Sequence, residues 1–148
     1  TIKGSNIARV ALFITPVKDI DASINPENNA PLSAVFLCGS TLEGILIGIA
    51  QTHPKEFNTA NATPKDEHKK TKPFYDWNLA TYIDVAAEIG FIDLDVKKFS
   101  HALRDFRNYI HPEEQVIQNF NPDKNTALIA YNVLLAAMED INKVKFER

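Results

Sequence analysis

Apolar residues that recur every three or four positions, cut into lengths by proline and glycine, leave this chain little to fold into but helices. From residue 78 the series Leu79, Tyr82, Ile83, Ala86 and Ile89 keeps that spacing. Gly90 follows it, which predicts a short helix with a glycine at its C-terminal end. Asp93 or Asp95 is placed to cap the next helix, which runs on to His111 and is stopped by Pro112. A last helix is predicted to start on Asn121 as cap, with Pro122 at its first position and Asp123 in its first turn. Leu128, Tyr131, Leu135 and Met138 mark its expected apolar face.

Upstream, residues 32–52 read as a helix apolar enough to be buried on most sides, stopped by Pro54. Residues 6–23 are apolar enough to pack as a helix that Pro16 would kink or end, and INPENNAP, residues 24–31, reads as a link. The stretch 53–73 is a polar loop carrying Lys65, Lys69, Lys70 and Lys72, either a plain surface loop or a flexible basic flap over a site. No segment reads as a strand. The predicted architecture is all-α: one domain over residues 1–148, a four- to five-helix bundle, with 1–31 as an N-terminal helix and link.

Composition excludes several classes. At 148 residues, 45% hydrophobic and 24% charged, the chain can bury a core without covalent staples. Its one cysteine, Cys38, permits no internal disulfide framework, so a reducing, cytoplasmic setting is expected. No signal segment opens the chain, and a start at Thr1 suggests processing or a larger parent protein. The longest apolar run, 42–50, is broken by Glu43 and two glycines, so no membrane span is expected. His53 and His68 have no partners at metal-ligand spacing, and neither a metal nor another cofactor is expected. A net charge of −3 gives no global pull toward nucleic acid, so any site for a polyanion must be local.

Such a site can be found on the fourth helix. Projected at about 100° per residue with Arg104 at zero, Lys97, His101, Arg107, Asn108 and His111 all fall within about 60° of it. Phe99, Ala102, Leu103, Phe106 and Ile110 fall on the far side. A solvated helix face is usually a mixture of Lys and Glu in pairs of opposite sign. Here Arg, Asn and His crowd together instead, with Asp105 off to one flank. Arg forks onto phosphate oxygens and stays charged, and His exchanges a proton near neutral pH.

FRNYIHP within this helix resembles the signature of the HEPN superfamily, helical-bundle domains in which an Arg is followed by four to six residues and a His, often with Asn after the Arg. Arg107 is followed by Asn108 but only three residues separate it from His111, whereas six separate Arg104 from His111 and Arg104 is followed by Asp105. Either Arg could take the family role. A wider stretch, CGSTLEGILIGIA and then WNLATYIDVAAEIGFIDLDVKKFSHALRDFRNYIHPEEQ, is similar to a group of uncharacterised bacterial HEPN-like proteins, covering the chain from about residue 32 onward.

The resemblance implies a metal-independent endoribonuclease of the defence or toxin–antitoxin kind, acting as a homodimer with a composite site where two motif helices face each other. His111 would be the general acid or base. Arg104 and Arg107 would stabilise charge on phosphorus, and Asn108 would orient His111 or the phosphate. Lys97 and His101 would be substrate-binding. RNA or a nucleotide would be the ligand, and an antitoxin a further partner. The alternative is a non-catalytic HEPN-like module that binds nucleotide, RNA or protein and dimerises through the same stripe.

Elsewhere, Ser40 and Glu43 stand in the most apolar helix, where a buried carboxylate needs a partner. Arg104 or Arg107 would suit, making Glu43 a clamp behind the site; otherwise Glu43 lies at a partly exposed edge. Gly39, Gly44 and Gly48 would admit a close neighbouring helix. Phe74, Tyr75 and Trp77 could stack a nucleobase or cover the bundle end.

Overall fold

The computed structural model describes Lys18, Ile20 and residues 30–108 and 122–144. Among them five helices form an all-α bundle: α1 Pro31–Thr52, α2 Pro54–Thr59, α3 Leu79–Glu88, α4 Leu94–Asn108 and α5 Lys124–Lys143. Helix α1 is the hub and packs against α5, α4 and α3, while α4 also lies against both α3 and α5. The buried apolar residues form one cluster to which every helix contributes, with Ile20 also buried in it.

Prolines and glycine set the boundaries much as the sequence implies. Pro31 starts α1 where its missing N–H is no loss. His53 breaks the chain between α1 and Pro54, which opens α2 as well as closing α1. Residues 54–59, expected as loop, are therefore helical, and Phe57 on them is fully buried. Asn78 caps α3 by accepting from the Thr81 N–H at 2.9 Å, and Gly90 leaves it with φ +89, the left-handed geometry that glycine adopts without strain.

Four expectations need correction. The cap of α5 is Asp123, whose carboxylate accepts from the Thr126 N–H at 2.9 Å; the helix begins after Pro122, and Asn121 lies outside the described residues. The face of α5 that enters the core is Ala127, Ala130, Val133, Leu134 and Ala137, one position back from the expected one. Leu128 and Leu135 are exposed, and Tyr131 and Met138 half-buried. On α4 the buried line is Val96, Ser100 and Leu103, whereas Phe99 and Ala102 face solvent. Of the three glycines on α1, Gly39 is buried, Gly44 is exposed, and a Cβ on Gly48 would meet nothing within 4 Å, so only Gly39 sits in a packed face.

The 22 residues of α1 are also long and apolar enough to cross a membrane by length and composition, with a mean hydropathy of 1.8 over its best window. Glu43 and the glycines interrupt the apolar run without taking that window's average below what a span requires. A core helix meets the same test, and here nine residues of α1 are buried against the bundle.

Candidate functional site

Helix α4 carries the stripe read from the sequence, and its neighbour α3 meets it. The two are joined by five residues, 89–93, and pack against each other, with Asp84 on α3 meeting Lys97 and His101 on α4. One carboxylate oxygen, Asp84 Oδ1, lies 2.8 Å from His101 Nε2 and 3.3 Å from Lys97 Nζ. Partial burial pushes the Asp84 carboxyl up, but the hydrogen bonds and charges of His101 and Lys97 outweigh it and hold the group below its ordinary range. Asp84 carries no signal of its role within the sequence of α3 alone. Reflection about the middle of the 89–93 turn would have found it, because residue 84 then falls opposite residue 98.

Lys97, His101 and Arg104 therefore share one edge of α4 at spacings of four and three, each half-buried. Arg104 folds back on its neighbour, its Nε donating to Asp105 Oδ1 at 3.1 Å and Nη2 reaching the same oxygen. Asp105 is thus a direct partner of the stripe rather than a bystander. Arg107 and Asn108 occupy the last turn of α4; their side chains, and His111 altogether, lie outside the described residues.

Ser40 and Glu43, on the adjoining α1, are both half-buried. Arg104 pairs with Asp105, and the other expected partner of Glu43, Arg107, has its side chain outside the described residues. Glu43 does lie near Tyr82 of α3: burial first, and the Glu43 charge second, push the Tyr82 phenol above its ordinary value. The Tyr82 hydroxyl in turn donates to the Phe74 carbonyl at 2.8 Å. Tyr82 thus links the 3-10 turn Phe74–Asp76 to the α1 face behind the stripe.

An open groove of about 570 Å³ lies beside the Asp84 cluster, with Asp84, Glu88 and Lys97 as its charged walls. Its polar groups are already occupied. Glu88 accepts from the backbone N–H groups of Asn61 and Ala62 at 2.7 and 2.8 Å, which hold its carboxyl low, and Asp84 holds Lys97. The groove is therefore a seam tying the 60s loop and α4 to α3.

Ser100 was not foreseen either. Its side chain is fully buried in α4 and its Oγ has no hydrogen-bond partner among the described residues. No group of three or more His, Cys, Asp or Glu able to hold a metal occurs among the described residues. No family model, curated protein or solved structure matches the chain.

Proposed function

We propose that this chain is a HEPN-type domain that cleaves RNA without a metal, at a composite site where the distal halves of two α4 helices meet in a cytoplasmic homodimer. One observation carries the reading. Lys97, His101 and Arg104 run along a single half-buried edge of α4, and Arg107, Asn108 and His111 continue the same register in sequence. A line of Arg, Asn and His on one helical edge suits a phosphodiester better than it suits water.

In this mechanism His111 removes the proton of the RNA 2′-hydroxyl, or protonates the departing 5′-oxygen. Oxygen attacks phosphorus, the 5′-oxygen leaves, and a 2′,3′-cyclic phosphate remains. Arg104 and Arg107 stabilise the negative charge gathered on phosphorus, and Asn108 orients His111 or the phosphate. To engage phosphate, Arg104 turns from Asp105, a short-range exposed pairing that costs little to break. Lys97 and His101 are held by Asp84, so they set the pitch of α4 against α3 and meet substrate only in competition with that carboxylate.

That same engagement favours a second reading, the non-catalytic RNA- or nucleotide-binding module. Two of the stripe's side chains, Lys97 and His101, are already engaged by Asp84. Incubating the protein with mixed RNA in EDTA, beside His111→Ala, separates the two. Cleavage that His111→Ala abolishes supports the nuclease. Binding without cleavage supports the module, and cleavage unchanged in His111→Ala overturns the assignment of His111.

A further inference from the structure

The lysine-bearing segment, read from the sequence as a plain surface loop or a flexible flap, contains a built hairpin. Lys65 and Thr71 pair as an isolated antiparallel bridge, the Lys72 N–H donates to the Pro64 carbonyl at 3.0 Å, and the Asp66 N–H donates to the Lys70 carbonyl at 2.8 Å. At the tip, Asp66 Oδ1 accepts from the His68 and Lys70 N–H groups at 2.8 and 2.9 Å, and Lys69 adopts φ +61. The base is anchored to the core. Trp77 Nε1 donates to the Lys72 carbonyl at 2.9 Å, and its ring packs against Phe74 and Phe57 at 5.0 and 6.4 Å.

This scaffold sorts the three aromatics that could have stacked a base. Trp77 is buried and Phe74 half-buried, both spent on the anchor, while Tyr75 is 87% exposed. A tyrosine ring so exposed contributes little to the core. Lys65, Lys69 and Lys70 are exposed and Lys72 half-exposed. Across residues 64–76 four lysines face three acids, in a chain whose net charge is −3, so the local sign is reversed. Asp66 is occupied within the turn, and Glu67 lies 3.5 Å from His68.

The packing of α3 on α4 relates this surface to the proposed site. Reflected about the middle of the 89–93 connection, Leu79 at the start of α3 falls opposite residue 103, next to Arg104 in sequence. The Phe74–Asp76 turn directly precedes that end, and the Tyr82–Phe74 hydrogen bond fixes it there. We infer that the 64–75 hairpin is a second contact for single-stranded RNA, its lysines meeting backbone phosphates and Tyr75 stacking a base. The strand so held runs toward the distal half of α4, an inference that rests on RNA being the ligand of the proposed function. Neutral-sequence stacking with backbone charge contacts is the general mode of single-strand binding, so the preference is for strandedness rather than sequence.

The test is fluorescence anisotropy of the full chain with a labelled 2′-O-methyl oligouridine, which lacks the attacking hydroxyl and is not consumed. Tyr75→Ala weakens binding by about tenfold, and Tyr75→Phe, which keeps the ring, stays within about twofold of the unaltered protein. Lys65→Gln with Lys70→Gln lowers the slope of log affinity against log salt by about 1.4. Circular dichroism unchanged in all variants confirms that the fold is kept. The inference is overturned if these variants bind as the unaltered protein does, if the unaltered protein does not bind the oligomer, or if polyglutamate competes as well as RNA, which would indicate an acidic protein partner. Cleavage that depends on His111 with binding indifferent to the hairpin leaves the α4 reading standing alone. Hairpin-dependent binding with no cleavage leaves the hairpin standing alone.

Discussion

Asp84→Asn is the substitution that most sharply tests how α4 is held. It keeps the shape of the side chain and removes the charge to which both His101 and Lys97 are drawn. Asp84 is 40% exposed, so water screens both contacts, and the loss belongs with surface pairs rather than buried ones. Two contacts of about 0.2–1 kcal/mol each, with the amide oxygen still able to accept, give a destabilisation of about 1 kcal/mol near neutral pH. In a domain of this size that lowers Tm by about 2–4 °C, which calorimetry resolves. The pH dependence carries its own sign. The folded carboxyl lies below its ordinary value, so its contribution is complete above about pH 4 and is lost as pH falls through the lower folded value. The gap between Asp84→Asn and the unaltered protein should therefore persist at mildly acidic pH and close toward pH 2. No gap at neutral pH, or a gap that stays constant down to pH 2, would refute the clasp.

Three further outcomes follow from the core. Burial pushes the Cys38 thiol up to about 12, so it should resist Ellman's reagent in the native protein and react only in denaturant. Ser100→Ala removes a buried hydroxyl without a partner and should stabilise the fold by about 1 kcal/mol; a loss of that size in a urea titration would mean that the hydroxyl is satisfied in solution. Phe57→Ala empties a fully buried site lined by the rings of Trp77 and Phe91, and should cost about 3–5 kcal/mol by the same titration.

What could be read from the sequence was local. Pro31, Pro54, Asn78 and Gly90 act on the backbone within a few residues, and the helix limits they set are close to those observed. What could not be read depends on distance. Helix α5 has two seams of equal period, one of Leu128, Tyr131, Leu135 and Met138, the other of Ala127, Ala130, Leu134 and Ala137. Hydrophobicity chooses the first because its residues are larger. The bundle chooses the second, because α1 lies closest to α5 where side chains are small. Likewise the wheel placed Lys97, His101 and Arg104 on one edge, as observed, but periodicity within one helix carries no information about its partner. Asp84, 13 and 17 residues away, became visible only through the α3–α4 register. The hairpin was missed for a related reason: its order comes from backbone hydrogen bonds and the Trp77 anchor, which a polar composition conceals.

The central claim is that two copies of α4 bring their distal halves together. His111→Cys, spin-labelled with Cys38 left in place because its buried thiol is inert, reports this directly. The account predicts a protein that sediments as a dimer, with strong dipolar coupling between the two labels. A strict monomer, or a dimer whose labels at position 111 show no coupling, would contradict it.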